Sequence, residues 1–82
     1  MYRILTENKN VDELQRMLCS LELDYTIYYG EGAWQGQRES SVVIELDNIP
    51  RDRAKNAARR IKELNSQEAV LFQEIPVVSE LI

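Results

Sequence analysis

Tyr25-Thr26-Ile27-Tyr28-Tyr29-Gly30-Glu31-Gly32-Ala33-Trp34-Gln35-Gly36-Gln37-Arg38-Glu39-Ser40-Ser41-Val42-Val43-Ile44-Glu45-Leu46 decides the fold. Tyr25–Tyr29 is rich in aromatic and β-branched residues and reads as a strand. Ser41–Leu46 reads as the next one, with Val42, Ile44 and Leu46 on one face. Between them, Gly30–Arg38 holds all three glycines and the only tryptophan. Hairpins that merely reverse direction use two to five residues. Nine residues with glycine-rich backbone and a large aromatic predict a projecting contact loop.

Working outward, each strand of this pair adjoins a helix. Upstream, Val11, Leu14, Met17, Leu18 and Leu21 recur at helical spacing. Asn10 and Glu13 stand where a capping box would start that helix. Tyr2–Thr6 before it is a short strand candidate. Downstream, Asp47-Asn48-Ile49-Pro50 opens a second helix that runs to about Leu64, with Asn48 as its expected cap. Its inward stripe is Ala54, Ala57, Ala58, Ile61 and Leu64. Ala69–Ile75 is the last strand, Pro76 stops it, and Val77–Ile82 remain as an apolar tail.

The order β-α-β-β-α-β predicts an α+β ferredoxin-like sandwich: a four-stranded antiparallel sheet with two helices on one face. Residues 1–76 would form the domain and 77–82 the tail. If Ile4, Ile27, Ile44 and Val70 or Phe72 point inward, Leu5, Tyr28, Val43 and Leu71 point to the uncovered face. Four apolar side chains there, with an apolar tail, predict a homo-oligomer. The other expectation is that the tail folds back as a lid or a fifth strand.

Composition narrows the functional classes. Fourteen acids against ten bases give a net charge of −4, which argues against nucleic acid as the partner. With one cysteine and no histidine, zinc is excluded and no cofactor is expected. A lone cysteine, Cys19, fits a reducing, cytoplasmic setting. No apolar run approaches a membrane span, and no secretory leader is expected from Met1-Tyr2-Arg3-Ile4. The commonest general base is missing, and Cys19 sits beside Leu18 in a helix where a thiol reads as a small buried hydrophobe. No catalytic residue is assigned, and a non-enzymatic binding protein is expected.

Two constellations would carry binding. In the loop, Trp34 would stack on a flat ligand or plug an apolar pocket of another protein. The backbone N–H groups of Gly32 and Gly36, with Gln37 and Arg38, would hold an anion. The structural alternative is that Trp34 folds back on the sheet edge and the glycines only turn the chain. On the second helix, Arg51, Arg53, Lys55, Arg59, Arg60 and Lys62 gather six of the ten bases. Arg51, Lys55, Arg59 and Lys62 share one stripe, either an anion site or an ordinary solvated face. Arg59 and Lys62 are the helix residues assigned to the ligand, acting from a neighbouring subunit.

Gly32–Ser40 running into Val42–Leu46, and the later run Ile61–Leu71, resemble small, uncharacterised ferredoxin-like proteins of phages and mobile elements. That resemblance implies a counter-defence factor that binds a signalling nucleotide or a host protein. The strand and helix order is also similar, at the level of fold alone, to PII-type proteins. Those are trimers that use the loop between the second and third strands for contacts. The expected function is an oligomeric binder of a small anionic, nucleotide-type ligand that sequesters a host signal. The alternative is a protein–protein inhibitor or adaptor anchored by the Trp34 loop.

Overall fold

Alanine is the strongest helix former and the smallest side chain that still packs. Ala54, Ala57 and Ala58 recur at helical spacing with Ile61, and all four are buried, so the second helix lies close against the sheet. A computed structural model describes all residues, 1–82. Its elements are β1 (Tyr2–Glu7), α1 (Val11–Ser20), β2 (Tyr25–Trp34), β3 (Gln37–Leu46), α2 (Arg51–Leu64) and β4 (Leu71–Glu74). The architecture is α+β: one four-stranded antiparallel sheet ordered β2-β3-β1-β4, with two helices. The β-α-β-β-α-β order is matched, and the arrangement is consistent with a ferredoxin-like fold.

Register explains the core. Ile27, Ile44, Ile4 and Phe72 are direct cross-strand neighbours and form one row across all four strands. Ile4, Val42, Ile44 and Leu46 from the sheet join Leu14 and Leu18 of α1 and the α2 stripe in a single cluster of 11 buried residues. Both helices therefore pack on the same face. One residue along each strand, Tyr28, Val43, Leu5 and Leu71 form the matching row on the opposite face. Tyr28 and Leu71 are 51% and 52% exposed there.

One polar group is sealed into the helix side. Asn65, just past α2, is 1% exposed. Its amide donates to Thr6 Oγ1 at 3.0 Å and accepts from Asn10 Nδ2 at 3.2 Å, while Thr6 also bonds Gln67. This ties the end of α2 to β1 and to the start of α1. No buried side-chain polar atom is left without a partner.

Several expectations are corrected. The capping box at Asn10 and Glu13 does not form: Asn10 is left-handed (φ 54°), and its side chain donates to Leu64 O and Asn65 instead. Asn48 is also left-handed, and Pro50 occupies the cap of α2 with extended backbone. The last strand is shorter than Ala69–Ile75, although Ile75 and Met1 still exchange backbone hydrogen bonds beyond it. Cys19 is exposed, because it lies off the inward arc marked by Leu14 and Leu18. The segment Val77–Ile82 is neither lid nor strand: it has no regular structure, and Val78, Leu81 and Ile82 are fully exposed. Its one side-chain hydrogen bond runs from Ser79 Oγ to Asp47 at 3.4 Å.

Candidate functional site

The expected nine-residue loop is a two-residue turn. Trp34 pairs with Gln37, and Gln35 (φ 51°) and Gly36 (φ 78°) both have positive φ, the signature of a type I′ hairpin. Gly36 needs its glycine; Gln35 takes a conformation that side chains adopt reluctantly. Gly30 and Gly32 are ordinary strand residues, with no neighbouring atom closer than the Ser41 hydroxyl at 3.9 Å from a Cβ on Gly32. The run of glycines therefore reads as flexible loop in sequence but serves a regular, slim ribbon.

β1 pairs only with Ser41–Leu46 of β3, so the ribbon from Glu31 to Ser40 projects beyond the paired part of β1. Trp34 rides near its tip, 68% exposed. Uninterrupted register assigns faces along the ribbon. Gly32, Trp34 and Gln37 lie on the face shared with Tyr28, while Arg38, opposite Ala33, lies on the other. Trp34 and Arg38 therefore do not clasp one ligand between them. Residues flanking a two-residue turn form a hydrogen-bonded pair, so the even-numbered residues of β2 direct their backbone groups to β3. The Ser40 carbonyl agrees, since it faces away from β2 and accepts the Asn8 N–H at 3.1 Å. The Gly32 N–H is thus committed to the ladder and is not free to hold an anion.

The two helix residues fare differently. Arg59 and Lys62 line a groove of about 240 Å³ between α2 and β4, together with Lys55. Its floor is apolar, made by Ala58, Ala69, Val70 and Phe72, and no acid lines it. None of the three cations has an ion-pair partner. Other bases of α2 are engaged: Arg51 pairs with Glu74 on β4, and Arg53 donates to Leu21 O at 2.6 Å, holding the end of α1. The Glu74 carboxylate hydrogen-bonds Arg51 and holds its guanidinium above the ordinary arginine pKa. A larger groove, about 580 Å³ between the helices, carries Glu13 and Glu63 against Arg16 and Arg60, so its charge balances. Strands β3 and β1 separate β2 from β4, which sets the Trp34 ribbon and the cationic groove on different edges of the molecule.

Sequence reasoning assigned Arg59 and Lys62 to a ligand held by the Trp34 loop of a neighbouring subunit and put Lys55 on their stripe; it anticipated neither the groove that the three line within one chain nor its floor. Phe72, expected with Val70 as the alternative inward residue of the last strand, stacks on Tyr2 with ring centroids 5.5 Å apart and also lines the groove. On the open face, a hydrogen bond to Glu45 raises the pKa of Tyr28, and Glu45 also accepts from Arg3 at 2.6 Å. Burial, followed by the neighbouring Cys19 thiol, raises the pKa of Tyr25, whose hydroxyl donates to Gln15 at 2.7 Å. No cluster of three or more acidic, cysteine or histidine side chains is placed to hold a metal ion. No helix is long and apolar enough to cross a membrane.

Compared with known proteins, the chain matches no family model, and no curated protein matches it.

Proposed function

We propose that this protein acts by binding rather than by catalysis, and that the groove between α2 and β4 takes a small anionic ligand of nucleotide type. The observation that carries this reading is the set of unpaired cations Lys55, Arg59 and Lys62 over an apolar floor. In a chain of net charge −4, three cations with no acid between them make a local positive field that recruits anions. Phosphate oxygens would meet Arg59 and Lys62, and the flat part of the ligand would lie on Val70 and Phe72. The groove is smaller than the ~300–1,000 Å³ usual for enclosing a ligand, so part of the ligand stays in solvent. Affinity then depends on the charged end.

A ferredoxin-like domain that holds a phosphorylated signal without consuming it fits the counter-defence role implied by the phage resemblance, in the cytoplasm of a host. Native mass spectrometry of gently purified protein tests this. An adduct of a few hundred daltons, lost when Lys55, Arg59 and Lys62 are all replaced by alanine, is the expected result. A bare protein that nucleoside triphosphates do not stabilise thermally would overturn it.

The second reading is a protein–protein inhibitor or adaptor. Exposed Trp34 on a projecting ribbon favours it, because large aromatics at protruding positions anchor interfaces. In that case Trp34→Ala abolishes capture of one stoichiometric partner and leaves nucleotide response unchanged.

A further inference from the structure

The two edges of the sheet are unlike. β4 is four residues long, is followed by Pro76, and is flanked by the Arg51–Glu74 pair and the cationic groove. Those are the devices that keep an edge from pairing with another chain. β2 is ten residues long, keeps one register from Tyr25 to Trp34, and contains no proline and no lysine. It holds a single charge, Glu31, and leaves Tyr28 and Tyr29 more than half exposed. Its even-numbered residues face β3, so the N–H and C=O groups of Tyr25, Ile27, Tyr29 and Glu31 point outward without strand partners.

We infer that β2 of one chain pairs antiparallel with β2 of a second copy about a two-fold axis at Tyr28, joining two sheets into one of eight strands. The sequence of β2 is self-complementary in that register. Ile27 falls opposite Tyr29 of the other copy, twice, and each such pair is an aromatic packed on a β-branched residue. Tyr28 meets its own copy on the outer face. Glu31 falls opposite Tyr25, so the two carboxylates stand six residues apart, roughly 20 Å along the strand, and do not repel strongly. The four outward residues of each strand supply roughly eight backbone hydrogen bonds across the axis. The second copy is the occupant because its strand meets this edge with matched apolar pairs and sets no like charges opposite each other. The pairing does not depend on the groove binding a ligand, and the two tests fail separately.

The test combines mass with amide exchange on the full chain. Sedimentation over a concentration series should give about 19 kDa, twice the 9.6 kDa of one chain. Tyr29→Lys should return a single-chain mass. Tyr29→Pro should do the same, since the Tyr29 N–H it removes bonds nothing within the chain. Leu71→Glu, which charges the open face, should leave the dimer intact. In wild type the Ile27, Tyr29 and Glu31 amides should exchange at least ~10-fold more slowly than on dilution to monomer. A single-chain mass throughout, a trimer, or dissociation by Leu71→Glu but not by Tyr29→Lys would overturn the inference. If both Tyr29 variants fail to fold, exchange in the wild-type chain decides it: three fast amides refute the pairing.

Discussion

Replacing Asn65 tests how the groove is held in place. Asn65 ends α2, and the chain turns there toward Ala69 and Val70, which floor the groove. Its side-chain amide joins Thr6, Asn10 and Gln67. In Asn65→Ala the bond to buried Thr6 is lost, at about 1 kcal/mol. Thr6 still donates to Gln67, so no buried donor is orphaned. The weaker bonds to exposed Asn10 and to Gln67 add a few tenths, and the void left by the amide adds about 1–2 kcal/mol. The expected loss is about 2–3 kcal/mol from a domain whose size implies about 4–12 kcal/mol in all. Chemical denaturation measures it, and melting should fall by about 10–20 °C.

Asn65→Asp keeps the shape and reverses the chemistry: a carboxylate would face the oxygens of Thr6 and Gln67. It should cost more than Asn65→Ala at neutral pH, about 3–5 kcal/mol, as an unpaired buried charge does. Burial raises the pKa of such an acid, so the deficit should shrink as pH falls and grow as pH rises through that raised value. A loss below about 1 kcal/mol in both variants, or Asp milder than Ala, would refute the reasoning.

Other outcomes follow from the same geometry. Gly36→Ala forces a side chain into φ 78°, so stability should drop by about 1–2 kcal/mol in denaturation, against almost nothing for Gly30→Ala, whose Cβ meets open space. Trp34→Ala should leave the melting temperature within about 2–4 °C of wild type, because the ring lies outside the core; a large drop would mean it packs. The raised pKa of Tyr25 means its neutral form is favoured by folding, so that contribution is full below the ordinary value of 10.0 and fades as pH climbs past it. Alkaline melts should therefore fall more steeply for wild type than for Tyr25→Phe, and parallel curves would contradict the shift.

Much of the fold is legible because two periods run through the chain. Alanines at helical spacing marked the buried face of α2, and alternation placed Tyr28, Val43, Leu5 and Leu71 in the row that register bears out. The hairpin departs from the expected loop for a physical reason. Glycine permits loops but does not require them, and only Gly36 uses its freedom. Gln35 at positive φ carries no sequence signal of a type I′ turn, whose usual residues are asparagine, aspartate and glycine. Asn10 misled similarly: it has the chemistry of a cap, but Asn65, more than fifty residues away, claims its amide. For the site, the helix stripe was readable, yet which of its bases stay unpaired depended on Glu74 and Leu21 O, contacts between distant segments.

If Lys55, Arg59 and Lys62 recruit an anionic ligand, calorimetric titration with a nucleoside triphosphate should register binding to the wild-type chain. Each cation is worth about 0.5–1 kcal/mol at a solvent-facing site, so single alanine variants should weaken binding ~2–5-fold and the triple variant ~10–100-fold. Wild-type affinity should also fall as salt rises. Undiminished binding by the triple variant, or none by the wild type, would contradict the account.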